Sequence, residues 1–481
     1  YLVAAQKADG SWSKPAGTRF PDYWPIVATS FALLFLCKGQ TPVLITKLAF
    51  GPPDGDNPPK IQNWDRKRSD VRHLVEFASR ELFKRQPLAW QVFDVRARPV
   101  ENDGAVKRLA SQLLESPIVY FNGHNFAPRG KEKAILKEYL ENGGFVFAED
   151  CCRDDRFDED FRRLVRDITD EPLKRLPPEH PVWLASGKFA VPPGKPFELW
   201  GVQKGCKTVI IYSRSPLAGY WEANEYGKGN GKLAFQLGAN VIAYATGLEP
   251  PPPRGHKVRV VRDDPPAPVK RGYLKVAQLR HEGDWRPAPK AMRNLMAETR
   301  KLGLDVVLAT DPIDPTDEKV KDYYFFYLHG RRDFSYTAKE LEHLRFRLKY
   351  GGTLFADACC GSPAFDKAFR KFAAALWEAE GLKLEPIPAD DELYSKDLNG
   401  QEIKTVRCRR AAPDGRRVEP EYRSVPPALE GVKYGGRWVV IYSRYDVGCA
   451  LERHQSSDCL GHDYASALRL GKAAVLYALK R

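Results

Sequence analysis

Apolar residues follow two alternating rhythms along this chain. Short apolar runs at Val43 to Phe50, Ile118 to Phe121, Phe145 to Ala148 and Thr208 to Tyr212 predict buried strands, and Gln91 to Val95 predicts a more mixed one. Between them the spacing becomes helical. Asp70 to Arg85 sets Val71, Leu74, Val75, Ala78 and Leu82 on one face. Ala105 to Leu114, Lys131 to Glu141, Phe157 to Ile168 and Lys232 to Tyr244 read as further helices, and Gly143-Gly144 stops the second of these. Strands alternating with helices of this length predict an α/β class, with a mostly parallel sheet covered on both faces.

The pattern occurs twice. Glu141-Asn142-Gly143-Gly144-Phe145-Val146-Phe147-Ala148-Glu149-Asp150-Cys151-Cys152 returns as Lys349-Tyr350-Gly351-Gly352-Thr353-Leu354-Phe355-Ala356-Asp357-Ala358-Cys359-Cys360. Phe157-Asp158 and Phe161-Arg162 match Phe365-Asp366 and Phe369-Arg370, and Val209 to Arg214 matches Val439 to Arg444. Trp64 and Arg72 align with Trp285 and Arg293, while Leu237-Gly238 and Tyr244-Ala245 align with Leu470-Gly471 and Tyr477-Ala478. Blocks kept in one order predict two tandem doubly wound units, each long enough to bury its own core. They are expected at 41–249 and 271–481, separated by a stiff Pro-rich linker at 250–270.

Composition narrows the classes. The chain has 481 residues, 43% hydrophobic and 29% charged, which is globular and excludes wholesale disorder. No apolar run approaches the roughly 20 residues of a membrane span. The net charge of +14 favours anionic partners, but basic residues are interspersed with acids, as in Arg153-Asp154-Asp155-Arg156, so no nucleic-acid partner is expected. Nine cysteines without regular close spacing do not suggest a disulfide framework.

Residues 1–38 differ from the rest. Tyr1-Leu2-Val3-Ala4-Ala5-Gln6-Lys7-Ala8-Asp9-Gly10-Ser11-Trp12 resembles the repeat of terpenoid cyclases and prenyltransferases, whose helices form an α/α toroid. Ala28 to Leu36 would be one such helix. The cyclases' acidic catalytic motifs are absent here. The segment is expected to be a remnant of a toroid repeat, or else a short cap on the first copy.

Ligands of open parallel sheets bind beyond the carboxyl ends of the strands. That rule selects similar polar residues in both copies. Asn122 and His124 follow one strand, as His329 and Arg331 do in the second copy. Glu149, Asp150, Cys151 and Cys152 follow the next, as do Asp357, Ala358, Cys359 and Cys360. Ser213 and Arg214, or Ser443 and Arg444, come last, with Glu222 and Glu452 a little beyond. Arg would orient a carboxylate, phosphate or sugar hydroxyl through its planar fork.

Gly143-Gly144 through Cys152, Tyr212-Ser213-Arg214 and their second-copy counterparts resemble the bacterial domain of unknown function 4159, in tandem. That family is similar to the class I glutamine-amidotransferase-like fold, including its trehalose-utilisation-like branch, which implies flavodoxin-like sheets. The resemblance also implies a bacterial cell-envelope or periplasmic setting. In amidotransferase-like proteins a Cys at a tight turn is activated by a distant His and an acid. Cys151 and Cys359 fall near that point, with Asp150 and Asp357 as the adjoining carboxylates. The flanking residues are not the small ones that such a turn needs, and no late His recurs in both copies.

Simpler roles stand beside these. The paired cysteines serve equally as small buried hydrophobes. The histidines can anchor loops, Glu149 and Asp357 can cap helices, and the arginines can pair with neighbouring acids. Cys449, His454, Cys459 and His462 form a cluster private to the second copy, but their spacing is not a standard zinc pattern, so no metal is expected, nor any other cofactor. The leading expectation is a non-catalytic ligand-binding or assembly module. Asn122, His124, Glu149, Ser213, Arg214, His329, Ser443 and Arg444 would bind a small polar or carbohydrate-like ligand, and protein partners are the other candidate. The alternative is a Cys- or carboxylate-dependent hydrolase or amidotransferase-like enzyme.

Overall fold

The computed structural model describes residues 7–12, 24–39, 41–52, 63–96, 98–254, 274–304, 306–308, 312–415, 418–453, 456 and 458–480. In the first copy the strands are β1 (Val43–Ala49), β2 (Ala89–Asp94), β3 (Ile118–Gly123), β4 (Val146–Asp150), β5 (Lys174–Arg175), β6 (Leu199–Lys204) and β7 (Lys207–Ser213). They form one sheet in the order β2-β1-β3-β4-β7-β6-β5. From β2 to β7 every pairing is parallel, and β6 then turns back against β7 as a hairpin.

The second copy contributes β8 (Leu274–Gln278), β9 (Val306–Leu308), β10 (Phe325–Gly330), β11 (Thr353–Ala358) and β12 (Glu385–Pro386). It continues with β13 (Val406–Arg409), β14 (Arg423–Val425), β15 (Leu429–Tyr434), β16 (Arg437–Ser443) and β17 (Gly461–His462). Its main sheet runs β9-β8-β10-β11-β16-β15-β12, the same order strand for strand. The fold is therefore α/β, built on two mostly parallel sheets. Among the described residues, a small sheet, β14-β13-β17, occurs only beside the second copy.

The apolar runs become strands because both faces of each sheet are covered. All of β1, β3, β4 and β7 is buried. Helices Asp70–Leu82 and Gly229–Thr246 pack on each other over one face of the first sheet. Helices Asp103–Leu113, Lys131–Glu141 and Asp155–Thr169 form the other layer. Trp221 and Tyr120, both fully buried, anchor the first core. Burying a large apolar side chain of this kind stabilises by about 1.5–3 kcal/mol. The sequence reading missed the antiparallel strands β5 and β6, and the β6–β7 hairpin proves decisive below.

Near the N-terminus, helix Pro25–Gly39 buries Ala28 and Ala32 against Trp12 but leaves Ile26, Phe31 and Phe35 largely exposed. Tyr1 to Gln6, the first half of the toroid-like motif, lie outside the described residues, as do residues 255–270 of the linker. No helix among the described residues is long and apolar enough to cross a membrane.

Candidate functional site

The strand register brings equivalent groups of the two copies to equivalent places. Glu149 lies beside Ser213, and Asp357 beside Ser443. Asn122 lies beside Glu149, and His329 beside Asp357, so the counterpart of His329 is Asn122 rather than His124. Each buried carboxylate ties the sheet to the short helix that follows the last parallel strand. Glu149 accepts the backbone N–H of Ala218 at 2.9 Å and the Tyr120 hydroxyl at 3.2 Å. Asp357 accepts the N–H groups of Val447 and Gly448 at 2.8 and 3.0 Å and the Tyr327 hydroxyl at 2.7 Å. Helix starts carry unpaired N–H groups, which is why carboxylates suit these positions.

Other duplicated residues also turn inward. Ser213 and Ser443 each donate to a carbonyl two residues on, at 2.9 and 2.6 Å. Glu222 accepts the N–H of Ser69 and Glu452 that of Lys290, at the start of equivalent helices. Asp158 and Asp366 receive the hydroxyls of Tyr212 and Tyr442 at 3.0 and 2.8 Å.

In the first copy the inner network is close to neutral. Asn122 donates to Asp70 at 3.1 Å and to the Tyr120 hydroxyl at 3.0 Å, and Lys47 donates to Asp70 at 2.9 Å. Burial holds the Glu149 carboxyl well above the usual carboxylate range, and Asp70 adds to the effect against the Ala218 N–H. Cys151 is buried, and its thiol is pushed up to about 12 by that burial and then by Cys152. Cys152 itself is exposed. His124 Nδ1 stands 3.2 Å from Asp154 without making a hydrogen bond of normal geometry. Asp150 accepts the N–H of Asp154 at 2.7 Å through Oδ1. Its Oδ2, like Oδ1 of Asn122, is buried without a hydrogen-bond partner. Arg214 meets Asp155 at 2.6 Å and is about one-third exposed.

In the second copy the same places hold an ion pair. His329 Nδ1 lies 3.2 Å from Asp357, and both side chains are fully buried. Burial works against either charge. For His329, the Asp357 carboxylate overcomes it and raises the imidazole pKa; for Asp357, the His329 charge and the backbone donors bring the carboxyl below its ordinary value. His329 Nε2 makes no hydrogen bond of normal geometry, although Cys359 is near enough to act on its charge. Arg444 is exposed and lies over the Tyr445 ring.

A segment of the first copy covers this set. The tip of the β6–β7 hairpin, Gly205-Cys206, enters the second copy at the carboxyl ends of its strands. Arg331 donates to the Gly205 carbonyl. Gly205 has φ +62°, and a Cβ there would lie 2.6 Å from the Pro287 carbonyl oxygen, so contact this close requires glycine. Cys206 is joined to Cys360 as a disulfide, and its sulfur lies 3.2 Å from that of Cys359. Cys449 stands 3.5 Å from Cys359 on another side. Arg286–Asn142 at 3.1 Å and Arg453–Glu249 at 2.7 Å extend the contact between copies.

Cys151, Cys359, Asp150 and Asp357, the candidate catalytic residues, therefore fall into two unlike settings. Only the second joins a thiol, an imidazole and a carboxylate among the described residues. Of the private cluster, His462 meets the Asp446 carbonyl at 3.0 Å, Cys449 stands 3.5 Å from Cys359, Cys459 is buried, and His454 lies outside the described residues. Cys206 and Asp446 were not singled out from the sequence, because their proximity depends on how two distant segments pack. The ligand atoms of Cys206, Cys359, Cys360, Asp446 and Cys449 lie within 4.8 Å of one another, as do those of His329, Asp357 and Asp446. A shallow depression of about 320 Å³ between Gly51, Phe126, Arg129 and Glu132 involves none of the candidate residues.

Among solved structures, a protein described as ThuA-like from Bacteroides uniformis is 14% identical, with a TM-score of 0.22, covering 45% of this chain and 95% of its own. A protein described as a phosphosugar isomerase from Silicibacter pomeroyi is 12% identical, with a TM-score of 0.14, covering 69% of this chain and 78% of its own. At these scores neither likeness bears on function. No curated protein matches the chain. The profile of the family described as domain of unknown function (DUF4159) matches residues 62–246 and again 275–479. The two matches cover most of each copy, though β1 lies before the first of them, so the chain belongs to this family and carries its domain twice.

Proposed function

We propose that the chain is a non-catalytic binding and assembly module. The second copy receives the first copy's hairpin, and the first copy's rim is left to bind a small polar, hydroxyl-bearing ligand such as a carbohydrate. One observation carries this reading: where a thiol, an imidazole and a carboxylate meet, at Cys359, His329 and Asp357, all three are fully buried beneath Cys206. A nucleophile needs a path to its substrate. In the first copy, Cys151 is likewise buried. The acceptors Asn122 Oδ1 and Asp150 Oδ2, buried without a hydrogen-bond partner, favour a ligand that donates hydrogen bonds, as hydroxyl groups do, and because both residues are fully buried that ligand enters only when the first copy's rim opens.

The test is a calorimetric screen of sugars and polyols against the full chain. A ligand is expected whose affinity falls at least about tenfold in Asp150→Asn or Asn122→Ala, the loss of one good hydrogen bond. A screen without any binder, or a binder indifferent to both changes, contradicts the ligand half of the proposal. The second reading, a Cys-dependent hydrolase, draws on the His329–Asp357 pair beside Cys359. It requires the hairpin to leave and Cys359 to become reactive.

A further inference from the structure

The interface between the copies gathers more sulfur than packing needs. Cys206, Cys359, Cys360 and Cys449 come from three separate stretches of chain, and their sulfur atoms all lie within 4.8 Å of one another. Zinc–sulfur bonds of about 2.3 Å in a tetrahedron put neighbouring sulfurs roughly 3.8 Å apart. The 3.2 Å between Cys206 and Cys359 and the 3.5 Å between Cys359 and Cys449 are close to that edge. Cys206, Cys359 and Cys449 are buried, as in closed structural metal sites.

Two features serve the gathering itself. Cys360 adopts φ 51° and ψ 24°, a left-handed conformation uncommon outside glycine. That turn directs both thiols of an adjacent pair to one point. Asp446 then braces the loops that bear them, accepting the Cys360 N–H at 2.7 Å and the Ala450 N–H at 3.1 Å. Outer carboxylates of this kind orient metal ligands.

We infer that the reduced chain binds one thiophilic divalent cation, Zn²⁺ foremost, through Cys206, Cys359, Cys360 and Cys449, locking the first copy's hairpin into the second copy. In the structure Cys206 and Cys360 form a disulfide, so the cation-bearing form is reached by reduction. A dithiol reductant supplies two electrons and two protons, opens that bond to two thiols and itself becomes a disulfide. The four thiols then release four protons as four sulfur–metal bonds form.

The experiment uses the full chain, reduced with a dithiol, desalted, and given Zn²⁺ or Co²⁺. Elemental analysis is expected to find one retained ion per chain, and the cobalt form to show an intense sulfur-to-metal charge-transfer band. Alkylation mapping of the reduced chain should find Cys360, the part-exposed member, modified without the ion and protected in the zinc form, while Cys152 is modified in both. This mapping uses the unaltered chain, so it does not depend on any variant folding. Cys206→Ser and Cys449→Ser should weaken binding more than 100-fold, beyond the roughly 10–100-fold typical of losing an outer partner. Cys152→Ser should bind as the parent does. The inference is overturned by a reduced chain that retains no ion, by uptake equal with the disulfide intact, or by full affinity in Cys206→Ser.

Discussion

The two copies share strand order, register and a buried carboxylate, yet they finish their rims differently. In the first, Glu149 sits among Tyr120, Asn122 and Asp70, and burial favours its neutral form. In the second, Asp357 and His329 form a buried ion pair. The difference extends to the thiols. Counting on from Ser213 and Ser443, Cys449 and Asp446 correspond to Gly219 and Pro216. The first rim therefore lacks the receiving groups. Conversely, the hairpin tip Gly205-Cys206 corresponds to Gly435-Gly436, so the second hairpin lacks the donated thiol. Duplication has produced one donor and one acceptor, which makes the tandem directional.

Removing the carboxylates should separate the copies most clearly. Asp357→Ala leaves His329 without its counter-charge and strands two N–H groups and a hydroxyl. A loss of about 3–5 kcal/mol is expected in denaturant unfolding. Glu149→Gln keeps an acceptor for Ala218 and should cost only about 1 kcal/mol. Equal losses would refute the contrast. Gly205→Val comes next. The new side chain meets Pro287 and is strained at φ +62°, so about 1–3 kcal/mol should be lost from the contact between copies. The parent is expected to unfold in one calorimetric transition and the variant in two; an unsplit transition in the variant would deny that the hairpin couples them.

Acidity sharpens the comparison at a smaller scale. Glu149 has a raised pKa in the folded chain, so its contribution is full below the ordinary glutamate value of about 4.3 and fades as pH rises through the folded value. Asp357 has a lowered one, so its contribution is present above about 3.9 and is lost as pH falls through the folded value. His329, raised, contributes fully below about 6.5 and loses its share as pH rises through its folded value. Unfolding between pH 4.5 and about pH 6.5, below the range in which His329 starts to lose its share, should therefore show a falling contribution from the first copy that Glu149→Gln removes. His329→Asn should give the second copy the same fall by depriving Asp357 of its cation. The smallest effect belongs to the exposed ion pair: Arg214→Ala should change stability by less than about 0.5 kcal/mol.

Much of this architecture was legible because buried parallel strands and amphipathic helices leave strong local patterns. β1, β3, β4 and β7 stand out as apolar runs, and the repeated Gly-Gly-to-Cys-Cys block marks equivalent strand ends. β6 was hidden because Leu199–Lys204 carries Trp, Gly and Gln in a strand with a mixed burial pattern, covered on its outer side only by the two-residue β5. The Asn122–His329 equivalence was legible, because Asn122-Gly123-His124 and His329-Gly330-Arg331 follow the same strand, and the register agrees. Cys206 was least legible. Its role follows from contact with residues 153 positions away, and no local periodicity records such a contact.

The central claim is that the second copy's thiol, imidazole and carboxylate are sealed by the first copy's hairpin. Timed labelling of the native full chain with a mild electrophile, read cysteine by cysteine, tests it most directly. Cys152 should react promptly, while Cys359 and Cys449 stay unmodified until the chain unfolds. Faster labelling of Cys359 than of Cys152 in the folded chain would contradict the seal and point instead to an accessible nucleophile.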